Sequence, residues 1–198
     1  MKEAALYKYD SVNKSFTEFA KGPKIPNYPV IDSKRNCIYV SDSFGFNEKG
    51  VGLYKFDLTN GDGGPCSEEL FNFANGMCLS PDGNFLYVVE SFHPCVSRLP
   101  INDDGTFGRK EIFTENIATV PDGLAFDKEN NLFISCYEPS RIYIADQSGK
   151  TRLLIEDKHC TIMAHPTNIA ISKDGNTMYT ANLGRWHITE IDISSLYK

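Results

Sequence analysis

The chain has 198 residues, 41% hydrophobic and 23% charged, enough for one well-buried soluble domain. A net charge of −6 leaves no basic stripe to neutralise phosphates, which argues against a nucleic-acid partner. No apolar run approaches the ~18 residues of a membrane span, and MKEAALYKYD has no signal-peptide core, so a cytoplasmic protein away from membranes is expected.

In chain order, two β-rich runs come first: LYKYD (Leu6–Asp10) and SFTEFAKG (Ser15–Gly22). They read as the two outer strands of an incomplete unit spanning Met1–Gly22. Four similar segments follow, NYPVIDSKRNCIYVSDS from Asn27, NGMCLSPDGNFLYVVES from Asn75, DGLAFDKENNLFISCYE from Asp122 and TNIAISKDGNTMYTANL from Thr167. Their starts lie 48, 47 and 45 residues apart. Each is an apolar run, a polar turn and a second β-rich run, the pattern of a hairpin. A third strand follows in GLYKFDL, CVSRLPI, RIYIADQ and HITEIDI, and a fourth in ELFNFA, EIFTEN and RLLIED. Four antiparallel strands repeated every ~40–50 residues predict an all-β, single-domain β-propeller over residues 1–198. The last unit lacks a fourth strand, so SFTEF is expected to complete it and close the ring. LYKYD would then be spare, open to strand exchange through Leu6–Asp10 or to homo-oligomer formation.

The alignment separates two Pro-Asp-Gly tripeptides. Asp82 falls in a hairpin turn, in register with Glu129 and Asp174, where turn geometry explains it. Asp122 falls at the start of a first strand, in register with Asn27, Asn75 and Thr167. In a propeller, rotation about one axis brings such positions to one mouth of the channel. Two amides, a carboxylate and a hydroxyl form an oxygen cage suited to a hard divalent cation, Ca²⁺ before Mg²⁺. The plain alternative is turn chemistry, since Asn, Asp and Gly are common where loops enter strands. Glu90 and His93, beyond a second strand, are assigned to the opposite end of the blade. Trp186 and Tyr28 are expected either to wall a pocket or, more simply, to pack between blades.

The stretches PNYPVID, ANGMCLSPDGNFLYVVES, VPDGLAFDKENNLFIS and PTNIAISKDGNTMYTANLG resemble the SMP-30/gluconolactonase/luciferin-regenerating-enzyme family. The resemblance implies a six-bladed propeller with one divalent ion, usually calcium, that opens sugar lactones or related esters. It implies Asn75 and Asp122 as metal ligands and Asn27 as a further residue at the metal or the substrate. Thr167 is implied as a polar pocket residue. The family's first-blade glutamate has no counterpart, and four repeats stand where the family has six. Asp122 is the candidate catalytic base for a metal-activated water, with a small lactone or ester as partner. His165 is a candidate pocket residue or an ordinary loop histidine. The competing class is a non-catalytic or degenerate propeller that acts as a binding module.

Overall fold

The computed structural model describes residues 3–197; the remaining parts of the predicted span, Met1, Lys2 and Lys198, lie outside the described residues. The chain opens with a hairpin of β1 (Ala5–Asp10) and β2 (Ser15–Lys21). The first blade follows in β3 (Pro26–Asp32) and β4 (Cys37–Asp42), the short β5 (Lys49–Gly50), then β6 (Leu53–Asp57) and β7 (Gly63–Pro65). After β8 (Phe71–Asn72) comes the second blade, β9 (Ala74–Leu79), β10 (Phe85–Glu90), β11 (Cys95–Pro100) and β12 (Glu111–Thr114). The third is β13 (Val120–Phe126), β14 (Leu132–Glu138), β15 (Arg141–Ala145) and β16 (Thr151–Glu156). The fourth has three strands, β17 (Pro166–Ile171), β18 (Thr177–Asn182) and β19 (Ile188–Asp192). Strand order within each blade follows the chain, and every pairing is antiparallel. The all-β propeller expected from the repeats is the observed fold. No helix among the described residues is long and apolar enough to cross a membrane.

The core lies in layers between blades. Side chains alternate across a strand, so Leu86 and Val88 of β10 face the first blade, with Tyr39, Leu53 and Met77. Tyr87 and Val89 face the third blade, with Leu124, Leu132 and Ile134. Phe133 turns to the fourth blade and packs with Ile142, Ile169 and Met178. Strands buried on both faces explain the unbroken apolar runs LYVV and LFIS.

Turn chemistry sets the hairpins. Asp82 Oδ1 accepts the N–H of Asn84 at 3.0 Å, and Asp174 Oδ1 that of Asn176 at 3.1 Å. Gly83 and Gly175 then take φ of 70° and 73°, open to glycine at little cost.

Four expectations are corrected. ELFNFA is not the outer strand of the first blade, because Gly63–Pro65 pairs with β6 instead. Phe71 is drawn into the core, and Phe71–Asn72 pairs with Lys49–Gly50 in a separate two-stranded strip. SFTEF does not complete the fourth blade. Asp10 Oδ1 accepts the N–H groups of Val12 and Asn13, a tight turn that pairs β2 with β1. This pairing also overturns the spare-strand expectation at Leu6–Asp10, since Leu6 and Phe19 pack on Val40 and Phe56 of the first blade. Lastly, Trp186 is fully exposed rather than packed between blades.

The first strands of successive blades approach backbone to backbone. A Cβ on Gly76 would lie 2.1 Å from the Asp122 carbonyl oxygen, and one on Gly123 2.3 Å from that of Thr167. Neither neighbour is a flexible side-chain tip, so blade spacing itself excludes a methyl group. Gly76→Ala should therefore lower stability by about 3 kcal/mol or prevent folding. Gly64→Ala, where an added Cβ meets nothing within 4 Å, should change it by less than about 1 kcal/mol. Urea unfolding midpoints of the two variants check this.

Candidate functional site

Ladder pairing sets the register of the mouth. Pro26 lies opposite Asp42, Ala74 opposite Glu90, Pro121 opposite Cys136 and Pro166 opposite Asn182. The next residue in each first strand is Asn27, Asn75, Asp122 or Thr167. All four share one rotational position, at the end where first strands begin and second strands finish. Glu90 therefore belongs to this same end and not the opposite one, because an antiparallel second strand returns to the level where the first began. Its carboxylate is nevertheless turned into the blade, where Oε2 accepts the N–H of Asn72 and Oε1 accepts from Ser97 and Lys110.

Asn75 and Asp122 meet. The Asn75 amide comes close enough to the Asp122 carboxylate to favour its ionised form. Burial pushes the Asp122 carboxyl up to about 6, and the Asn75 amide only partly offsets that burial. Its partner is a neutral amide rather than a cation. Tyr28 of the first blade packs on the core near this pair: burial raises its phenol, and the nearby Cys78 and Asp122 add to the rise.

Two serines hold this arrangement. Asn75 Nδ2 donates to Ser91 Oγ at 3.1 Å, and Ser91 Oγ donates to the Pro121 carbonyl at 2.7 Å, one residue before Asp122. One blade earlier the same relay runs from Asn27 Nδ2 to Ser43 Oγ at 3.0 Å and on to the Ala74 carbonyl at 3.0 Å, one residue before Asn75. Each relay fixes which end of the amide faces outward and ties it to the next blade. Ser43 and Ser91 are not candidates in the sequence reading, although the last residues of VSDS and VVES occupy one aligned position.

The remaining candidates are placed differently. Asn27 repeats the Asn75 geometry but is exposed at the mouth. Thr167 points its hydroxyl at the Ala181 carbonyl of its own blade, at 3.4 Å. The Thr167 carbonyl accepts from Ser135. His165 sits at the rim with φ of 52°, stacked on Tyr137 at 4.7 Å between ring centroids. Its Nδ1 lies 3.0 Å from the Tyr137 carbonyl and 3.2 Å from Glu138 Oε2.

A cation suits the Asn75–Asp122 pair, since a half-buried carboxylate without a positive partner gains from a hard ion and its neighbours offer amide oxygens. The donor set is lean: among the described residues no three of His, Cys, Asp and Glu gather to hold a metal.

A propeller with an amide–carboxylate pair at its mouth defines a class, and comparison with known proteins gives the family. The SMP-30/Gluconolactonase/LRE-like region matches residues 47–181, and the chain belongs to this family. Lactonase drp35 of Staphylococcus haemolyticus is 27% identical over 151 residues, covering 66% of this chain and 46% of the relative. The chain thus spans about half of that protein's length. A gluconolactonase from Xanthomonas campestris superposes with a TM-score of 0.72 at 16% identity, over 90% of this chain and 62% of that one. Regucalcin from Agrobacterium tumefaciens, described as a calcium-binding protein, gives 0.71 at 18% identity, over 98% and 65%. At these identities the two structures show the shared fold.

Two outcomes are expected. A folded pKa of about 6 against the ordinary 3.8 means the fold prefers the protonated acid, so in EDTA this group costs stability as pH rises from about 4 through 6. Asp122→Asn should then stabilise the metal-free chain at pH 8, by on the order of 2 kcal/mol, and leave it unchanged near pH 4. Denaturant titrations at both pH values measure this. Ser91→Ala strands the Asn75 amide and the Pro121 carbonyl and should cost about 1–3 kcal/mol, with Ser91→Thr losing less.

Proposed function

We propose that the Asn75–Asp122 mouth is a metal-dependent hydrolytic site that opens lactones or related esters. The contact between these two side chains, 47 residues apart in sequence, is the observation that carries this reading. Family membership and the lactonase and gluconolactonase names of its relatives support it.

Asp122, Asn75 and Asn27 would hold a divalent ion, Ca²⁺ in preference to others because the donors are oxygen and irregularly placed. That ion would supply positive charge to polarise the scissile carbonyl and to stabilise the developing oxyanion. Asp122 is the group that takes the proton from the attacking water; its raised pKa belongs to the metal-free carboxyl, and a bound cation would lower it. Asn75, clamped by Ser91, keeps its amide oriented throughout. Thr167 and His165 line the rim and bound the space available to substrate.

One observation favours a second reading, a binding module without turnover. Asp122 is the only carboxylate in the four-residue register, and a single acidic ligand holds a divalent ion weakly.

Calcium titration followed by thermal melting decides between them. On the hydrolytic reading, Ca²⁺ raises the Tm by ordinary linkage, and lactone hydrolysis appears with it. Asp122→Asn removes both, while Asp82→Asn, confined to a turn at the other end of the blade, leaves both intact. A Tm indifferent to calcium and EDTA, with no turnover of gluconolactone or aryl esters, would select the binding module.

A further inference from the structure

One step outside the Asn27–Asn75–Asp122–Thr167 register, the rim of the mouth is furnished unevenly. The residues preceding Pro26, Ala74, Pro121 and Pro166 are Ile25, Phe73, Val120 and His165. Those two beyond Asp42, Glu90, Cys136 and Asn182 are Phe44, Phe92, Glu138 and Gly184. On the side of the third and fourth blades this rim is polar, with His165 against Glu138. On the side of the first and second blades it is aromatic. The rings of Phe73 and Phe92 lie 4.7 Å apart, and Phe46 packs on both at 5.2 and 5.6 Å.

This cluster adjoins the site through the chain itself. Phe92 follows Ser91, whose hydroxyl holds the Asn75 amide, and Phe73 stands two residues before Asn75. The cluster is also braced open. Phe46 is 69% and Phe92 43% exposed, yet the loop carrying Phe46 is tied down by pairing of Lys49–Gly50 with Phe71–Asn72. Phe44 and Phe73 hold φ of 60° and 61°, a conformation costly for bulky residues and concentrated at functional sites. Three phenyl rings offer no donor or acceptor to a hydroxyl. A polyhydroxylated ring laid there would lose water without replacing its hydrogen bonds.

We propose that Phe46, Phe73 and Phe92 receive the hydrocarbon part of the substrate, so that the site selects lactones or esters carrying an alkyl or aryl substituent over sugar lactones. This rests on the hydrolytic reading of the Asn75–Asp122 pair. The polar side of the rim, at His165 and Glu138, is left for the hydroxyl group released on ring opening or ester cleavage. Water adds to the carbonyl carbon, the acyl–oxygen bond breaks, and the alkoxide leaves with the proton taken from that water.

The test uses γ-butyrolactones with alkyl tails of increasing length and glucono-δ-lactone. Binding to the full chain in calcium buffer is followed by ligand-observed NMR, with kcat/KM measured in parallel. Each added methylene should tighten binding by about fourfold until the rings are covered. Phe46→Ser and Phe92→Ser, both at exposed positions, should flatten that dependence. Phe16→Ser, on the distant β2, should leave it intact. Binding indifferent to tail length, a dependence that survives both substitutions, or tighter binding of glucono-δ-lactone each overturns the proposal. Tail-dependent binding without turnover would instead remove the hydrolytic reading and leave the apolar wall standing. Turnover of glucono-δ-lactone with no tail dependence would do the reverse.

Discussion

At Gly76 and Gly123 the first strands of neighbouring blades touch main chain to main chain, with no room for a methyl group between them. Everything at the mouth follows from that approach. It brings Asn75 near Asp122, and it lets the hydroxyls of Ser43 and Ser91, just past the second strands of the first two blades, span to the next blade. It also removes water from around the Asp122 carboxyl, which raises its pKa. A wider spacing would leave an exposed aspartate in a loop, without unusual chemistry.

The serine relays and the half-buried Asp122 carboxylate act in opposite directions on stability. Ser43 and Ser91 each satisfy an amide N–H and a carbonyl of the next blade, and so stabilise the mouth. Asp122 works against folding when ionised, because only a neutral amide answers its charge. On the proposed metal-dependent reading, a bound cation would relieve this cost. Strain of this kind gathers where ligands bind.

The mouth is also asymmetric, although the scaffold repeats. The four blades share strand order and turn chemistry, while the rim carries phenylalanines on one side and a histidine–glutamate contact on the other. Repetition supplies rigid equivalent positions, and on the proposed reading the differences at those positions would supply selectivity. Fold alone says nothing about this, since propellers serve catalysis and binding alike. The particular rings do.

How much was legible beforehand varies element by element. The repeat spacing, the hairpin turns at Asp82 and Asp174, the propeller and the separation of the two Pro-Asp-Gly copies were all contained in the sequence. Alternation and turn residues are local, and rotation then carries aligned positions together. The outer strand of the first blade was not legible: ELFNFA has better strand residues than Gly63–Pro65, but Phe71 is claimed by the core. Nor was the partner of SFTEF, because a tight turn at Asp10 outcompetes a distant strand edge. The sequence by itself determined which residues are equivalent. Only the tertiary structure decided which of them touch, since contact depends on the distance between blades and no local pattern encodes that distance.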